Sequence, residues 1–349
     1  MGELSQNYSH RSIKDSTLVI TYFKGYNIES LIIKLFARAK LAKNKMIKKY
    51  THKTITWIDA ENPTMDEVRS LMEQYSIDPS IAKEFLLPSF KEKIVLQEKY
   101  LYMVMHFPAL RHSHQTDSDQ EIDFVVGKNF IITTRYETID ALERFAKFFE
   151  VNSILEKGIM EDHAGYVLYY IMKELYKTVS DELDGANDRM KRIEKEIFKG
   201  KEKEMVLDIS YTSRDLINLD HALRSHKEIL ESLEDISTKI FDSEFKENCV
   251  KISNDYYKVE GMLSNNIDFL KELRETNDSL LSTKQNETMK ILTVITFLGM
   301  PFTIITGFFQ MNTSSTPLVG IANDWQIIVI LEILAVIILF MFARFKKWL

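Results

Sequence analysis

Ile291-Leu292-Thr293-Val294-Ile295-Thr296-Phe297-Leu298-Gly299-Met300-Pro301-Phe302-Thr303-Ile304-Ile305-Thr306-Gly307-Phe308-Phe309 is an apolar run broken only by small and hydroxyl-bearing residues. A second apolar run, Trp325–Phe345, follows after the connection 310–324. At 1.5 Å per residue, runs of roughly 19 and 21 residues each cross a hydrocarbon core of ~30 Å as helices. The connection carries no Lys or Arg, whereas Lys284 and Lys290 precede the first run and Arg344, Lys346 and Lys347 close the second. The positive-inside tendency puts both flanks, and with them both termini, on the cytoplasmic side. Trp325 and Trp348 suit the two interfaces as anchors. The expectation is a two-span hairpin in the cell (inner) membrane, with nearly all of the chain in the cytosol.

Stepping from Asn286 by alternating three and four residues meets Met289, Thr293, Thr296, Met300, Thr303, Gly307 and Gln310, each polar, small or Met. Off that seam the run is Ile, Leu, Val, Phe, Gly and Pro, with Thr306 the one polar exception. A spacing of 3.5 keeps one face turned toward a common axis in a helical bundle. Thr and Gly also act as packing glue between membrane helices. The regularity of the seam favours a pore lining over glue. Two spans cannot enclose a path, so a pore requires a homo-oligomer.

Gly299-Met300-Pro301-Phe302-Thr303 followed by Gly307-Phe308-Phe309-Gln310-Met311-Asn312 resembles the first transmembrane helix of CorA-type divalent-cation channels, which ends in an aromatic residue plus Gly-Met-Asn. Asn286-Glu287-Thr288-Met289-Lys290 is similar to the cytoplasmic approach to that helix, and the basic Lys346-Lys347-Trp348-Leu349 end is shared. Gln310 stands where the family has Gly, which alters the freedom of the backbone turn and bears on ion preference. In the soluble part, Trp57-Ile58-Asp59, Asn62-Pro63-Thr64, Tyr100–Val104 and 129–133 are similar to the family's cytoplasmic domain, so that the resemblance spans roughly residues 50–349. It implies a pentameric, funnel-shaped oligomer. It also implies an outer selectivity ring at Asn312, flanked by Met311 and Gln310, and cytoplasmic metal sites between subunits that close the channel at high Mg²⁺. The acidic positions matching those sites are Glu84 and, loosely, Asp255.

A chain of 349 residues with about 55 in the membrane leaves room for one or two further domains. The net charge of −6, without a basic–aromatic stripe, argues against nucleic acid as a partner. A single Cys249 excludes an intrachain disulfide framework and suits a reducing compartment. The polar N-terminus shows no apolar signal region.

Taken in order, Thr17–Phe23 reads as a strand, Ile28–Lys48 as a basic helix and Thr54–Asp59 as a strand. Thr64 and Glu67 form a capping-box pattern before helices over Met65–Tyr75 and Pro79–Leu87. Ile94–Gln97 and Tyr100–Phe107 form a central hairpin, and Ile122–Val126 and 129–135 another, turned at Gly127-Lys128. His112 and His114 with Asp117, Asp119 and Glu121 read as a solvated loop rather than a metal site, since no second ligand cluster completes them. The helical stretch then divides into about 162–198, a break at Lys199-Gly200-Lys201, and about Met205–Ser237. After a polar interruption at 241–248, Ile252, Tyr256, Val259, Leu263, Ile267, Leu270 and Leu273 form a seam that runs on toward Asn286. A helix unbroken from about Lys251 to Phe309 would be ~90 Å long and would transmit cytoplasmic events to the membrane. Pro301 removes one backbone bond within it and is a kink point.

The expected fold is therefore an α/β cytoplasmic domain (1–157), a long helical stalk (158–290) and a two-helix transmembrane pore domain (291–349). No phosphate loop, paired Cys-x-x-Cys, zinc-binding His pair or nucleophile elbow is present, so neither an enzyme nor an ATP-driven pump is expected, and no cofactor. The function read from the seam and the resemblance is passive transport of a divalent cation, Mg²⁺ first, with Co²⁺ or Ni²⁺ as alternatives. Mg²⁺ dehydrates reluctantly, so hydroxyls would contact its hydration shell, while Met289 and Met300 form apolar constrictions. Glu275 and Asp278 would concentrate cations below Asn286. Glu332, a carboxylate inside the second span, is either a structural hydrogen-bond acceptor or a coupling group. Coupling would make the protein a proton-coupled Zn²⁺ transporter. The rival from another class is a non-conducting membrane-anchored scaffold or sensor.

Overall fold

The computed structural model describes residues 46–89, 91–108, 119–154, 163–311, 320 and 323–346. It falls into two compact units. One comprises the described residues up to Val179 with Ala222–Lys258, and the other Ser180–His221 with Val259–Leu349.

The first unit is built on one sheet: β1 (Met46–His52), β2 (Ile55–Glu61), β3 (Lys93–Leu96), β4 (Tyr100–Phe107), β5 (Gln120–Gly127) and β6 (Phe130–Arg135), in spatial order β1-β2-β6-β5-β4-β3. The β2–β6 pair is parallel and the other neighbours are antiparallel. β4 and β5 are buried nearly end to end, as strands covered on both faces must be. On one face α1 (Met65–Tyr75) and α2 (Pro79–Glu84) pack Val68, Leu71, Ile81 and Phe85 against Ile58, Tyr102, Val104, Val125 and Ile132. The opposite face meets α3 (Asp140–Ile154), whose Phe145 and Phe149 rings lie 5.0 and 5.9 Å from Trp57. The capping box at α1 is present: the Glu67 amide donates to Thr64 Oγ1, and the Thr64 amide donates to Glu67 Oε2 at 2.7 Å.

Three expectations need correction here. Residues 46–48 are not the end of a basic helix but the start of β1, because β2 needs an antiparallel partner. Tyr50 stacks on Trp57 at 4.7 Å across that pairing, and Lys48 reaches Glu143 on α3 at 3.2 Å. The rest of the basic helix and the Thr17–Phe23 strand lie outside the described residues. The hairpin of β3 and β4 is at the sheet edge rather than its centre, since β5 and β6 intervene between β4 and β2. Finally, α3 stands in a stretch the sequence left unassigned.

α4 (Gly165–Ile197) and α7 (Phe245–Phe309) each contribute to both units. The predicted break holds: Gly200, at φ +91°, turns the chain into α5 (Glu202–Leu223). The expected single helix to Ser237 is two, with α6 (His226–Ser237) beginning afresh. His226 is fully buried, with Tyr176 Oη 2.9 Å from its Nδ1 and the His106 carbonyl 2.8 Å from its Nε2; that demand outweighs helix continuity. α7 starts at Phe245, earlier than expected, where the Phe245 amide donates to Asp242 Oδ1 at 2.9 Å and its ring packs on Phe241. It continues unbroken for 65 residues, about 97 Å at 1.5 Å per residue, with Pro301 inside it.

Within the second unit, Asn266 rather than Ile267 occupies the inward position of the α7 seam. Its amide donates to the Leu183 carbonyl at 2.8 Å and its oxygen accepts from Asn187 at 3.2 Å, whereas Ile267 is exposed. Val206 is likewise exposed and Met205 buried in its place. α8 (Asp324–Phe345) is the last described helix, and among the described residues it and α7 are the two helices long and apolar enough to cross a membrane.

Candidate functional site

The membrane-length part of α7 has two faces with different fates. Val294, Phe297, Leu298, Pro301, Ile305 and Phe309 are its buried or half-buried positions, at three/four spacing. Val294 is 4% exposed and Ala343 of α8 fully buried. Thr306 Oγ1 donates to Glu332 Oε1 at 2.7 Å. Twelve residues separate Thr306 from Val294 and eleven separate Glu332 from Ala343, about 18 and 16 Å along the two axes, as antiparallel neighbours require.

The other face is free. Asn286, Met289, Thr293, Thr296, Met300, Thr303, Gly307 and Gln310 are all exposed in the single chain. At about 100° per residue the centre of this seam lies more than a third of a turn from the line through Val294, Pro301 and Ile305. The threonines are therefore not glue between a chain's own two spans. Thr293 Oγ1 donates to the Met289 carbonyl at 2.8 Å and Thr296 Oγ1 to the Leu292 carbonyl at 2.9 Å. With the hydroxyl hydrogens spent along the helix, the oxygen lone pairs point outward as acceptors. Acceptors suit the hydrogens of water bound to a cation.

At the outer end the Gln310 amide donates to the Thr306 carbonyl at 3.0 Å and the Met311 amide to the Phe308 carbonyl at 3.3 Å, closing the last turn. Gln310 is not among the residues with positive φ, so a side chain there costs no backbone strain. Asn312 lies outside the described residues, as do Trp348, His112 and His114.

Below the seam, Glu275 and Asp278 are exposed. Lys284, two residues before Asn286, is anchored: its Nζ donates to the Gly200 carbonyl at 3.0 Å and pairs with Glu202, whose carboxyl is thereby held below the usual carboxylate range. Nothing in the sequence linked these residues, which are more than 80 apart.

Glu84 and Asp255 are not brought together within one chain. Glu84 is engaged by Lys93 at 2.6 Å and by the Tyr102 hydroxyl at 3.1 Å. Asp255, on α7, is half-buried; burial raises its pKa while Lys173 and Lys258 pull it back. Among the described residues no group of three or more His, Cys, Asp or Glu is arranged to hold a metal ion.

A buried polar network, missed in the sequence, lies in the first unit. His106 Nδ1 is 3.6 Å from Glu92 Oε1 and its Nε2 3.6 Å from Glu121 Oε2, while the His106 amide donates to Glu92 at 2.7 Å. Burial would lower the imidazole, but the bonds to Glu121 and Glu92 raise it to about 10. Burial would raise Glu92, but His106 and His226 pull it to about 2. Asp123, buried beside Glu121, is raised well above the usual range by burial and by that neighbour's charge. The five groups, Glu121 and Asp123 sharing β5, come from four separate segments, so no motif announces them.

Two antiparallel membrane-length helices, the first an extension of a 65-residue helix and carrying a free polar face, define a two-span membrane protein with a large α/β and helical portion. The chain belongs to the CorA-like Mg²⁺ transporter protein family, whose model matches residues 52–347. It is 25% identical over 297 residues to the cobalt/magnesium transport protein CorA of Thermotoga maritima, covering 84% of this chain and 83% of that one. It is 23% identical to the cobalt/magnesium transport protein CorA of Methanocaldococcus jannaschii, covering 83% and 90%. Its fold is similar to the complete structure of the CorA magnesium transporter from M. jannaschii, with a TM-score of 0.74 at 21% identity over 86% of this chain and 93% of that one.

Proposed function

We propose that this chain is a channel subunit through which a divalent cation, Mg²⁺ first and Co²⁺ next, crosses the cell (inner) membrane with its inner water shell in place. The observation that carries the reading is the exposed Asn286–Gln310 seam on the face of α7 turned away from the chain's own second span. In a homo-oligomer, pentameric by resemblance, the free seams of neighbouring copies meet around one axis. Thr293, Thr296 and Thr303 offer oxygen acceptors to coordinated water, which costs less than stripping the shell from Mg²⁺. Met289 and Met300 narrow the path with apolar rings that close by dewetting. Asn312 carbonyls form the outer ring beside Met311 and Gln310. Both termini are cytoplasmic in this arrangement. The continuous α7 makes rotation or tilt of its lower part felt at Asn286 and above, and Lys284 ties it to the α4–α5 turn. Glu84 and Asp255 are proposed as contributors to regulatory cation sites formed between copies, since neither meets the other within a chain.

The test is Mg²⁺ influx into liposomes holding the purified protein, with Co²⁺, Ni²⁺ and Zn²⁺ in parallel and Asn312→Ala as the comparison. Influx that falls at least tenfold in the variant supports the reading. Absence of any divalent flux from an intact oligomer sinks it.

A further inference from the structure

Thr306 is the polar residue of the first span that the seam does not use, and Glu332 is the one carboxylate inside the second. The structure pairs them at 2.7 Å. We infer that Glu332 is a positioning residue: through the hydrogen bond it accepts from Thr306, it holds the first span at the rotation that keeps the threonine seam on the ion path. This rests on the reading of the seam as that path.

Apolar packing is a weaker guide to rotation than a directional bond. Val294 and Ala343 are apolar and lie twelve and eleven residues away, and apolar surfaces slide and turn over one another at small cost. Lipid supplies no hydrophobic force to choose between settings, since tails are as apolar as Ile or Leu. A hydrogen bond is directional and, inside a hydrocarbon layer, leaves a costly unsatisfied group when broken. Turning α7 by one residue, about 100°, would replace Thr296, Met300 and Thr303 on the path by Phe297, Pro301 and Ile304. Such a face offers no acceptor to a hydrated cation. Thr306 follows Ile305 of the inter-span face directly, so its hydroxyl reaches the neighbouring helix at the flank of the contact and controls the turn there. The role requires an acceptor at Glu332, not a charge, which separates it from proton or ion coupling.

The experiment compares wild type with Thr306→Val, Glu332→Leu, Glu332→Gln and the Thr306→Val/Glu332→Leu pair. Three quantities are read: Mg²⁺ flux per assembled oligomer, its pH profile, and labelling of Thr303→Cys against Ile304→Cys by a water-soluble thiol reagent in each background. Loss of one interhelical bond should lower flux about three- to tenfold in Thr306→Val and in Glu332→Leu, with the pair no worse than the worse single variant. Glu332→Gln should stay within about twofold of wild type with the same pH profile, since its amide oxygen still accepts. Labelling should move from position 303 toward 304 in Glu332→Leu. Unchanged flux per oligomer in both single variants overturns the inference. So does a loss in Glu332→Gln as deep as in Glu332→Leu, which would mark a need for an ionisable group. If wild type carries no flux, the channel reading fails, and the labelling still decides the positioning role: an unaltered 303-to-304 ratio in Glu332→Leu overturns it.

Discussion

Alkali should loosen the first unit through His106, and the size of the effect follows from its neighbours. The ring sits between Glu92 and Glu121, and its side chain is only 17% exposed. Its pKa rises from an ordinary 6.5 to about 10 in the folded protein. A group whose folded pKa is raised adds stability that is complete below the unfolded value and is lost as pH climbs toward the folded one. The window is therefore from 6.5 to about 10. At 1.36 kcal/mol per pKa unit the shift caps the contribution at ~5 kcal/mol, and residual solvent screening brings it to ~2–3 kcal/mol. Glu92 works in the opposite sense: its folded pKa is depressed from 4.5 to about 2, so its contribution is present above 4.5 and lost as pH falls through that range. The whole 349-residue chain in detergent, carrying Trp325→Phe and Trp348→Phe so that Trp57 fluorescence is the probe, should melt about 5–10 °C lower at pH 9.5 than at pH 6 for a unit of this size. His106→Gln should be less stable at pH 6 and should show a smaller drop. A variant whose drop matches wild type would refute the assignment of the alkaline loss to His106.

Two further perturbations follow from contacts in each unit. Arg135, 1% exposed, is held by Asp59 through bonds of 2.9 and 3.2 Å, with Glu61 at 3.0 Å. Asp59→Ala strands much of that buried charge and should cost about 3–5 kcal/mol in chemical denaturation; a cost under ~1 kcal/mol would show that Glu61 suffices. Lys284→Met removes the anchor from the Gly200 carbonyl and Glu202, and amide hydrogen exchange across residues 199–204 should speed up about tenfold. Equal exchange in variant and wild type would mean the turn holds itself.

Local pattern and covalent continuity made much of this fold readable. The α1 capping box, the break at Gly200 and the helix unbroken through Pro301 to Phe309 each depend on residues near in sequence, and the structure has them where the sequence put them. What could not be read was decided by distant partners. Residues 46–48 close a Lys- and Arg-rich stretch that reads as a helix, yet they pair with β2 as a strand. His226 interrupts a good helical sequence because its ring is bonded to Tyr176 and to the His106 carbonyl. Asn266 displaces Ile267 from the α7 seam because its amide finds two partners on α4, which no hydropathy pattern reveals. The polar seam was legible as a pattern, and the structure adds that it faces away from α8. Glu332 was visible as an anomalous carboxylate, and the geometry gives it Thr306 as a donor.

The central claim is that one face of the first span meets water across the membrane while its neighbours do not. Cysteines placed singly at Thr296, Met300 and Thr303, and at Leu298 and Ile305, in a Cys249→Ser background would test it in native membranes. A small water-soluble thiol reagent should label the first three and spare the last two, with Mg²⁺ or Co²⁺ slowing the reaction. Equal labelling of both sets, or labelling of Leu298 and Ile305 alone, would contradict the account.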